Sequence, residues 1–345
     1  MRGEPVFVIA EAGVNHNGDL GMAKELVDVA VEAGADAVKF QSFRADNIIL
    51  RNAPKAQYHI ETTGADGHQS WYALLMTQEL DRTMHEKLIA HCRDRGIMFL
   101  STPYDEESVD LLQDLDIPLY KVASTDANNL PFLEYIARKG RPMILSTAMS
   151  ELEEVRCSVD AIRKAGVDEL VVLQCTGSYP APPDQANLKA MLTLGEACSV
   201  AVGYSDHVSG FNAAIAAVAL GACVYEKHFT LDRTLPGPDH RISLEPNELK
   251  ALVAVIRKTE SMLGDGIKRV MPCEEENRLK LRKYITARAH IAAGEKFSPE
   301  NLTTKRTGGV GFEPKHFTHL MHYKAAKPIQ ADQVITDDLI ERRSK

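Results

Sequence analysis

Short apolar runs and amphipathic segments alternate along the chain up to about residue 263. Eight of the runs have the length and composition of buried strands: VFVIA, AVKFQ, IMFLS, LYKVA, PMILS, LVVLQ, VAVGY and CVYEKHF. The segments between them are helical in pattern, and in LGMAKELVDVAVEAGA the apolar residues recur on one helix face. Eight strand–helix units in about 260 residues predict a (β/α)8 barrel, with a doubly wound open sheet as the alternative.

The pattern changes after Gly264. The charged stretch CEEENRLKLRK has no strand signal, so residues 265–284 are predicted to form a linker or connecting helix. Beyond it, short strand patterns broken by Gly, Pro and Asp turns predict a second, small domain over residues 285–345. We therefore expect a catalytic barrel over residues 1–264 and a small C-terminal domain after the linker.

The second strand–helix connection, from Ser42 to about Leu80, is longer than the others and contains NAPKAQYHIETTGADGHQSWY. A barrel does not need a connection of this length, so we expect it to fold over the barrel mouth and shape the substrate pocket. A simple surface insertion is the alternative.

Composition narrows the class of protein. The formal net charge of −8 gives no general attraction for nucleic acid or for an anionic membrane, so local cations must hold any phosphate. The N-terminal segment has no basic leader, and no apolar run is long enough to span a membrane. The six cysteines are widely spaced, as reduced core thiols are. We expect a cytoplasmic protein that binds neither nucleic acid nor membrane.

Polar residues stand at the carboxyl end of each predicted strand, which is where barrel enzymes carry their active sites. In strand order they are Glu11; Lys39 and Gln41; Ser101 and Thr102; Lys121, Ser124 and Asp126; Ser146 and Thr147; Thr176 and Tyr179; Ser205, Asp206 and His207; Glu226 and His228. One such residue is readily explained as a hydrogen-bonding group of the fold. Their coincidence at one end of every strand indicates a functional site.

Two kinds of chemistry stand out among these residues. Lys39 and Lys121, close to Ser and Thr hydroxyls, suit a bound phosphate or carboxylate because ammonium groups donate without accepting. His207 and His228 end neighbouring strands and could ligate one divalent cation, with Asp206 and Glu226 beside them; Mn²⁺, Mg²⁺, Zn²⁺ and Fe²⁺ all stay open. The rigid turn in TLPGPDHR is expected to direct Asp239 towards the barrel mouth.

Nine motifs, read in order, resemble those of the N-acetylneuraminate (sialic acid) synthases and their relatives for legionaminic and pseudaminic acid. They are IAEAGVNHNG, GADAVKFQ, LSTP, YKVAST, ILSTAM, QCTGSYP, VGYSDH, ALGACVYEKHFT and PGPDH. The resemblance extends to the C-terminal part, which looks like the antifreeze-like (SAF) domain of that family. It implies a (β/α)8 barrel followed by a SAF domain that is exchanged across a homodimer.

The resemblance also implies roles for individual residues. Glu11 and Asp126 would act near the reacting carbons. Phosphoenolpyruvate would be held by Lys39, Thr102, Lys121, Ser124, Ser146 and Ser205. The N-acetylated amino sugar would contact Glu11, Gln41, Tyr179, Asp239 and, from the partner subunit, Arg306. His207 and His228 would hold the divalent metal, usually Mn²⁺ or Mg²⁺.

The chain departs from the family pattern at two of these positions. Some members carry Glu where Asp126 stands and Asn where Gly177 stands. Asp is one methylene shorter, so its role requires a small repositioning or a bridging water. Gly177 has no side chain with which to contact phosphate.

The predicted function is a condensation of phosphoenolpyruvate with an amino sugar to give a nine-carbon keto acid. The sugar is either N-acetylmannosamine or 2,4-diacetamido-2,4,6-trideoxymannose. The alternatives are a Schiff-base pyruvate lyase that uses Lys39 or Lys121, and a non-enzymatic carbohydrate- or ice-binding protein.

Overall fold

The computed structural model describes residues 4–55, 60 and 70–341 of the chain. The chain divides into two compact units, Met1–Gly264 and Asp265–Lys345. Each unit has its own core of buried apolar side chains.

The first unit is built on eight parallel strands that form one sheet. In sheet order they run β3, β2, β1, β8, β7, β6, β5, β4, and the end strands β3 and β4 lie side by side, so the barrel is nearly closed. Their bounds are β1 Phe7–Gly13, β2 Ala37–Ser42, β3 Met98–Pro103, β4 Tyr120–Val122, β5 Met143–Ser146, β6 Leu170–Cys175, β7 Ala201–Asp206 and β8 Val224–His228. This order has no reversal of the kind that a doubly wound sheet requires, and the predicted (β/α)8 barrel is confirmed.

Helices connect these strands. They span Leu20–Ala33, Ala45–Ile48, Trp71–Met76, Arg82–Arg95, Glu106–Asp114, Leu130–Ala137, Leu152–Lys164, Ala190–Cys198, Asn212–Ala219 and Pro246–Leu263. The first shows why such segments are helical: Asp19 caps its start by accepting from the Met22 N–H, and Gly34 ends it in the left-handed conformation. Its buried face includes Leu26 and Ala30.

The barrel interior begins with an apolar layer of side chains. Six buried residues, one from each of six strands, form it: Ile9, Ala37, Leu100, Ile144, Leu173 and Val224. Because side chains alternate across a strand, the residue two positions further on also points into the barrel. The apolar layer therefore fixes which of the strand-end residues face inward.

The second unit carries four short strands, β9 Lys283–Ala287, β10 Leu302–Arg306, β11 Lys324–Ala325 and β12 Ile340–Glu341. They pair as two antiparallel ladders, β9 with β10 and β11 with β12. Helices span Glu275–Leu281, within the predicted linker, and Phe317–Leu320. The buried core of this unit includes Ile285, Phe297 and Ile329.

Much of the long second connection lies outside the described residues, which omit 56–59 and 61–69. Its role in covering the barrel mouth stays a prediction. Across the part of the chain that is described, no helix is long and apolar enough to cross a membrane.

Candidate functional site

A polar layer lies directly above the apolar layer inside the barrel. Its seven side chains are all buried: Glu11, Lys39, Thr102, Lys121, Ser146, Ser205 and Glu226. Sheet register places several of them side by side, since Glu11 is opposite Lys39 and Ser205 is opposite Glu226. Six of the seven were assigned to the site from the sequence, and the structure brings those six together.

Lys39 is held by groups from two neighbouring strands. Its Nζ lies 2.6 Å from Oε2 of Glu11 and donates a 3.0 Å hydrogen bond to Oγ1 of Thr102. Gln41, on the same strand, donates to the other Glu11 oxygen at 3.3 Å. One ammonium group, one carboxylate and one hydroxyl are thus fixed at the mouth side of β1 to β3.

Lys121 occupies the opposite part of the polar layer. Its Nζ donates to Oγ of Ser146 at 2.7 Å and to the carbonyl oxygen of Val122 at 3.0 Å. Glu226 lies between the two lysines: Oε1 is 3.7 Å from Lys121 Nζ and Oε2 is 3.7 Å from Lys39 Nζ. Ser205 donates to Oε1 of Glu226 at 2.9 Å. The two ammonium groups are therefore linked through one carboxylate.

Burial and mutual attraction set the ionisation of this layer. Burial raises the pKa of Glu11 to about 7, although Lys39 opposes the shift. Burial alone would also raise the pKa of Glu226, but Lys121, Lys39 and the Ser205 hydroxyl outweigh it and hold this pKa at about 2. Burial lowers the pKa of Lys121, and Glu226 is the strongest opposing influence. The layer is a network whose charges depend on one another.

Two histidines stand at the ends of β7 and β8. The ring centroids of His207 and His228 are 5.6 Å apart, and the Tyr179 ring lies 4.0 Å from that of His207. Nδ1 of His207 is 2.8 Å from the Thr176 carbonyl oxygen, which fixes the proton on Nδ1 and leaves the Nε2 lone pair available. Sγ of Cys175 is 3.7 Å from the same ring nitrogen.

The histidine pair fits a divalent metal with an incomplete set of protein ligands. Nδ1 of His228 is buried without a hydrogen-bond partner, and burial together with His207 lowers the His228 pKa well below its usual value. A neutral imidazole is the form that binds metal ions. Within the described ranges, no three His, Cys, Asp or Glu side chains converge as a fuller site. Substrate and water oxygens would have to complete the coordination.

Asp239 is brought close to His207 by the PGPDH turn. Its carboxyl group is buried, which raises its pKa to about 6, and His207 acts in the opposite direction. A network anchors the turn: Ser243 Oγ donates to the Asp239 carbonyl oxygen at 2.6 Å, and Asn15 donates to Ser243 Oγ at 3.0 Å. Gly237 packs against the His240 ring, since a Cβ atom there would lie 2.7 Å from Cδ2 of His240, and its φ of 151° also disfavours any other residue.

Three other assigned residues are placed differently. Ser124 and Asp126 lie on a 3-10 turn after β4, where Ser124 Oγ accepts from the Ala148 N–H at 2.9 Å. Asp126 accepts from Asn129 Nδ2 at 3.0 Å, and burial raises its pKa. Arg306 ends β10 in the second unit.

The suggestion that Asp206 lies beside the histidine pair is wrong. Its side chain faces away from the barrel interior, where it pairs with Lys227 at 2.6 Å and accepts from the Tyr225 hydroxyl. Glu226, by contrast, was noted as a strand-end residue beside the histidines but was given no role, and the structure places it at the centre of the polar layer. Side chains alternate along a strand, so Val224, Glu226 and His228 face the same side of β8. This alternation was the signal that could have placed Glu226 in the barrel interior.

Comparison with known proteins agrees with the class that this geometry defines, a (β/α)8-barrel enzyme with a SAF domain. The model of the NeuB family matches residues 26–268, and the model of the SAF domain matches residues 282–341. The chain belongs to the NeuB family, which confirms the resemblance drawn from its motifs.

Individual relatives cover almost the whole chain. The N,N'-diacetyllegionaminic acid synthase of Campylobacter jejuni is 46% identical over 333 residues, which are 96% of this chain and 99% of the relative. The N-acetylneuraminate-9-phosphate synthase of Mus musculus is 36% identical over 342 residues, which are 99% of this chain and 94% of the relative. The crystal structure of the sialic acid synthetase of Leptospira borgpetersenii serovar Hardjo-bovis, in complex with citrate, matches with 34% identity and a TM-score of 0.69 over 80% of this chain and 90% of that one.

Proposed function

We propose that this protein condenses phosphoenolpyruvate and water with an N-acetylated amino sugar, giving a nine-carbon keto acid and inorganic phosphate. The observation that carries the proposal is the polar layer, in which two buried ammonium groups and three hydroxyls lie below a pair of histidines. Phosphoenolpyruvate has two anionic ends, a carboxylate and a phosphate, and this layer offers charged donors for both.

The layer suits phosphoenolpyruvate in its hydrogen-bond inventory as well as in its charge. Lys39 and Lys121 each donate to a hydroxyl and to one other oxygen at close range, and an ammonium group has three donors. Each lysine thus keeps a donor for the substrate. Thr102, Ser124, Ser146 and Ser205 are proposed to complete the binding of the two anionic ends.

His207 and His228 are proposed to hold the divalent cation, Mn²⁺ or Mg²⁺. The NeuB family is metal-dependent in general. When bound, the cation supplies Lewis-acid polarisation of the sugar aldehyde. Tyr179, whose ring lies tilted against that of His207, is proposed to orient the sugar together with Gln41, Asp239 and Arg306 from the partner subunit.

The proposed reaction forms one carbon–carbon bond and breaks the bond between C2 and the phosphate oxygen. C3 of phosphoenolpyruvate attacks the aldehyde carbon, whose oxygen takes up a proton, and water adds at C2 with loss of one proton. The hydroxyl group of the resulting tetrahedral centre then gives its proton to the departing phosphate and becomes the keto group. Glu11, with a pKa of about 7, and Asp126, whose pKa is also raised, are proposed to stabilise charge at C2 and to accept the proton from water.

We propose 2,4-diacetamido-2,4,6-trideoxymannose as the sugar, with N-acetylmannosamine as the second candidate. The preference rests on the higher identity to the Campylobacter jejuni diacetyllegionaminic acid synthase, 46%, than to the mouse enzyme, 36%. The two sugars differ in the groups on C4 and C6, away from the aldehyde carbon, so residues that contact this part of the sugar must distinguish them.

The relatives favour this synthase over a Schiff-base lyase and over a binding protein, because they are named as synthases and match both units. A Schiff base also requires a neutral lysine, and Glu11 and Glu226 disfavour this for Lys39 because they raise its pKa against the effect of burial. Burial lowers the pKa of Lys121, so for that residue the borohydride trapping described below decides. We further propose a domain-swapped homodimer in the cytoplasm, with a barrel over residues 1–264, a linker over 265–284 and a SAF domain over 285–345.

The deciding assay follows phosphate release from phosphoenolpyruvate by metal-stripped protein, with Mn²⁺ and each of the two sugars added in turn. Mass spectrometry of the keto acid identifies the product. Release that requires both metal and one sugar supports the proposal and selects the sugar. Formation of a product from pyruvate without metal, trapped on lysine by borohydride, would establish the lyase instead.

A further inference from the structure

Glu226 is a buried carboxylate for which the proposed reaction has no direct use. It is 6% exposed, and its two oxygens face Lys121 and Lys39, each at 3.7 Å. These separations are too long for hydrogen bonds but short enough for strong attraction between buried charges. Ser205 fixes the orientation of the carboxylate by donating to Oε1.

The two lysines depend on Glu226 to different degrees. Lys39 has a second carboxylate, Glu11, at 2.6 Å. Among the described residues, Glu226 is the one carboxylate within ion-pair distance of Lys121, whose two hydrogen-bond partners are a hydroxyl and a backbone carbonyl. Burial lowers the pKa of Lys121, and the attraction of Glu226 is the largest influence that opposes it. Without this carboxylate, burial would lower the pKa of Lys121 further.

We propose that Glu226 is a positioning residue that keeps Lys121 protonated and directed at the phosphate of phosphoenolpyruvate. This inference rests on the proposed function, since it takes phosphoenolpyruvate as the ligand of Lys121. A neutral amine offers no charge to a phosphate, so loss of the Glu226 charge weakens phosphoenolpyruvate binding even though a negative group has been removed from the site. If repulsion between Glu226 and the phosphate were the main effect, loss of the Glu226 charge would instead strengthen phosphoenolpyruvate binding.

The test is Glu226→Gln, which keeps the size of the side chain and an acceptor for Ser205 but removes its charge. We expect the dissociation constant of phosphoenolpyruvate, measured by calorimetry at saturating Mn²⁺, to rise by at least about tenfold. A second measurement uses pyruvate and cyanoborohydride without metal. A neutral Lys121 condenses with the keto group, water leaves, and reduction of the imine fixes a label on Nζ. Peptide mass spectrometry should find this label on Lys121 in the variant and not in the natural protein.

Asp206→Asn is the matched control. It removes an equally buried ion-pair carboxylate on the neighbouring strand, but one that faces Lys227 outside the barrel interior. We expect it to lower the melting temperature, because it leaves the buried Lys227 ammonium without its carboxylate, while phosphoenolpyruvate affinity stays within about twofold and Lys121 stays unlabelled. Glu226→Asp keeps the charge and should retain affinity within about threefold.

The outcomes separate the two hypotheses. If the natural protein does not bind phosphoenolpyruvate, the proposed function fails and the inference fails with it. If the natural protein binds phosphoenolpyruvate and folded Glu226→Gln binds it equally or more tightly, the inference alone is overturned. If Glu226→Gln does not fold, Glu226→Asp decides, because a loss of more than about tenfold in a variant that keeps the charge would show that shape, not charge, matters.

Discussion

Gly203 on β7 leaves no space for even one methyl group. A Cβ atom at this position would lie 2.3 Å from the carbonyl oxygen of Val224 and 2.6 Å from Cδ2 of Leu173. The nearer atom belongs to the backbone of β8, so no change of rotamer relieves the contact and β7 must move away from β8. We expect Gly203→Ala to cost about 3 kcal/mol of unfolding free energy. For a domain of this size, such a cost lowers the melting temperature by about 6–12 °C.

The same substitution should impair activity, because Ser205 and His207 lie two and four residues further along the chain. A shift of about 1 Å in groups that position a substrate reduces the rate by about 100-fold, so we expect a loss of this size in kcat/KM. Gly195→Ala is the control. Gly195 lies in the helix Ala190–Cys198, and a Cβ atom there would meet a side-chain methyl of Val202 at 3.3 Å. Calorimetric unfolding and the phosphate-release assay measure both variants. A Gly203→Ala protein with natural melting temperature and kcat/KM would refute this account of the barrel wall.

Three further predictions concern histidines and the phosphate site. Burial lowers the pKa of His16 to about 4, so its stabilising effect is complete above pH 6.5 and is lost as the pH falls towards 4. We expect His16 to account for about 3 kcal/mol of the unfolding free energy lost in this window, so the loss should be smaller by this amount in His16→Asn, as followed by urea unfolding at several pH values. His240, whose pKa burial also lowers to about 4, contributes to the loss that remains. His207→Ala should abolish Mn²⁺-dependent phosphate release and weaken Mn²⁺ binding measured by calorimetry, and a fully active variant would exclude the metal assignment. Lys121→Ala should raise KM for phosphoenolpyruvate by roughly 10- to 150-fold, the effect of one lost charged hydrogen bond, while KM for the sugar changes by less than about twofold.

The barrel and most of the polar layer were predictable because two simple periodicities lie in the sequence. Eight apolar runs predict the strands, and the rule that barrel sites lie at strand ends selects residues such as Lys39 and Ser205. The alternation of side chains also separates Asp206 from its neighbours Ser205 and His207, since adjacent strand residues point in opposite directions. The error on Asp206 came from using sequence proximity where this rule applied.

Other features depend on contacts between strands, and a single sequence does not contain them. The ion pair between Glu11 and Lys39 follows from the register of β1 on β2, and the bridge from Glu226 to both lysines follows from the closure of the barrel. Gly203 looks like any strand glycine until the backbone of β8 is placed against it. These features arise from how the strands are assembled, not from the pattern within each strand.

The charges of the polar layer explain why a site of this kind uses a metal ion. Two ammonium groups and two carboxylates nearly cancel, which makes their burial tolerable in the barrel. Phosphoenolpyruvate adds a carboxylate and a phosphate, about −2.5 to −3 in charge, and leaves the interior strongly negative. A divalent cation held by His207 and His228 would supply two positive charges, and Glu11, whose burial raises its pKa to about 7, can enter its neutral form. Charge balance thus gives a reason for the metal dependence of the NeuB family in addition to the proposed polarisation of the sugar.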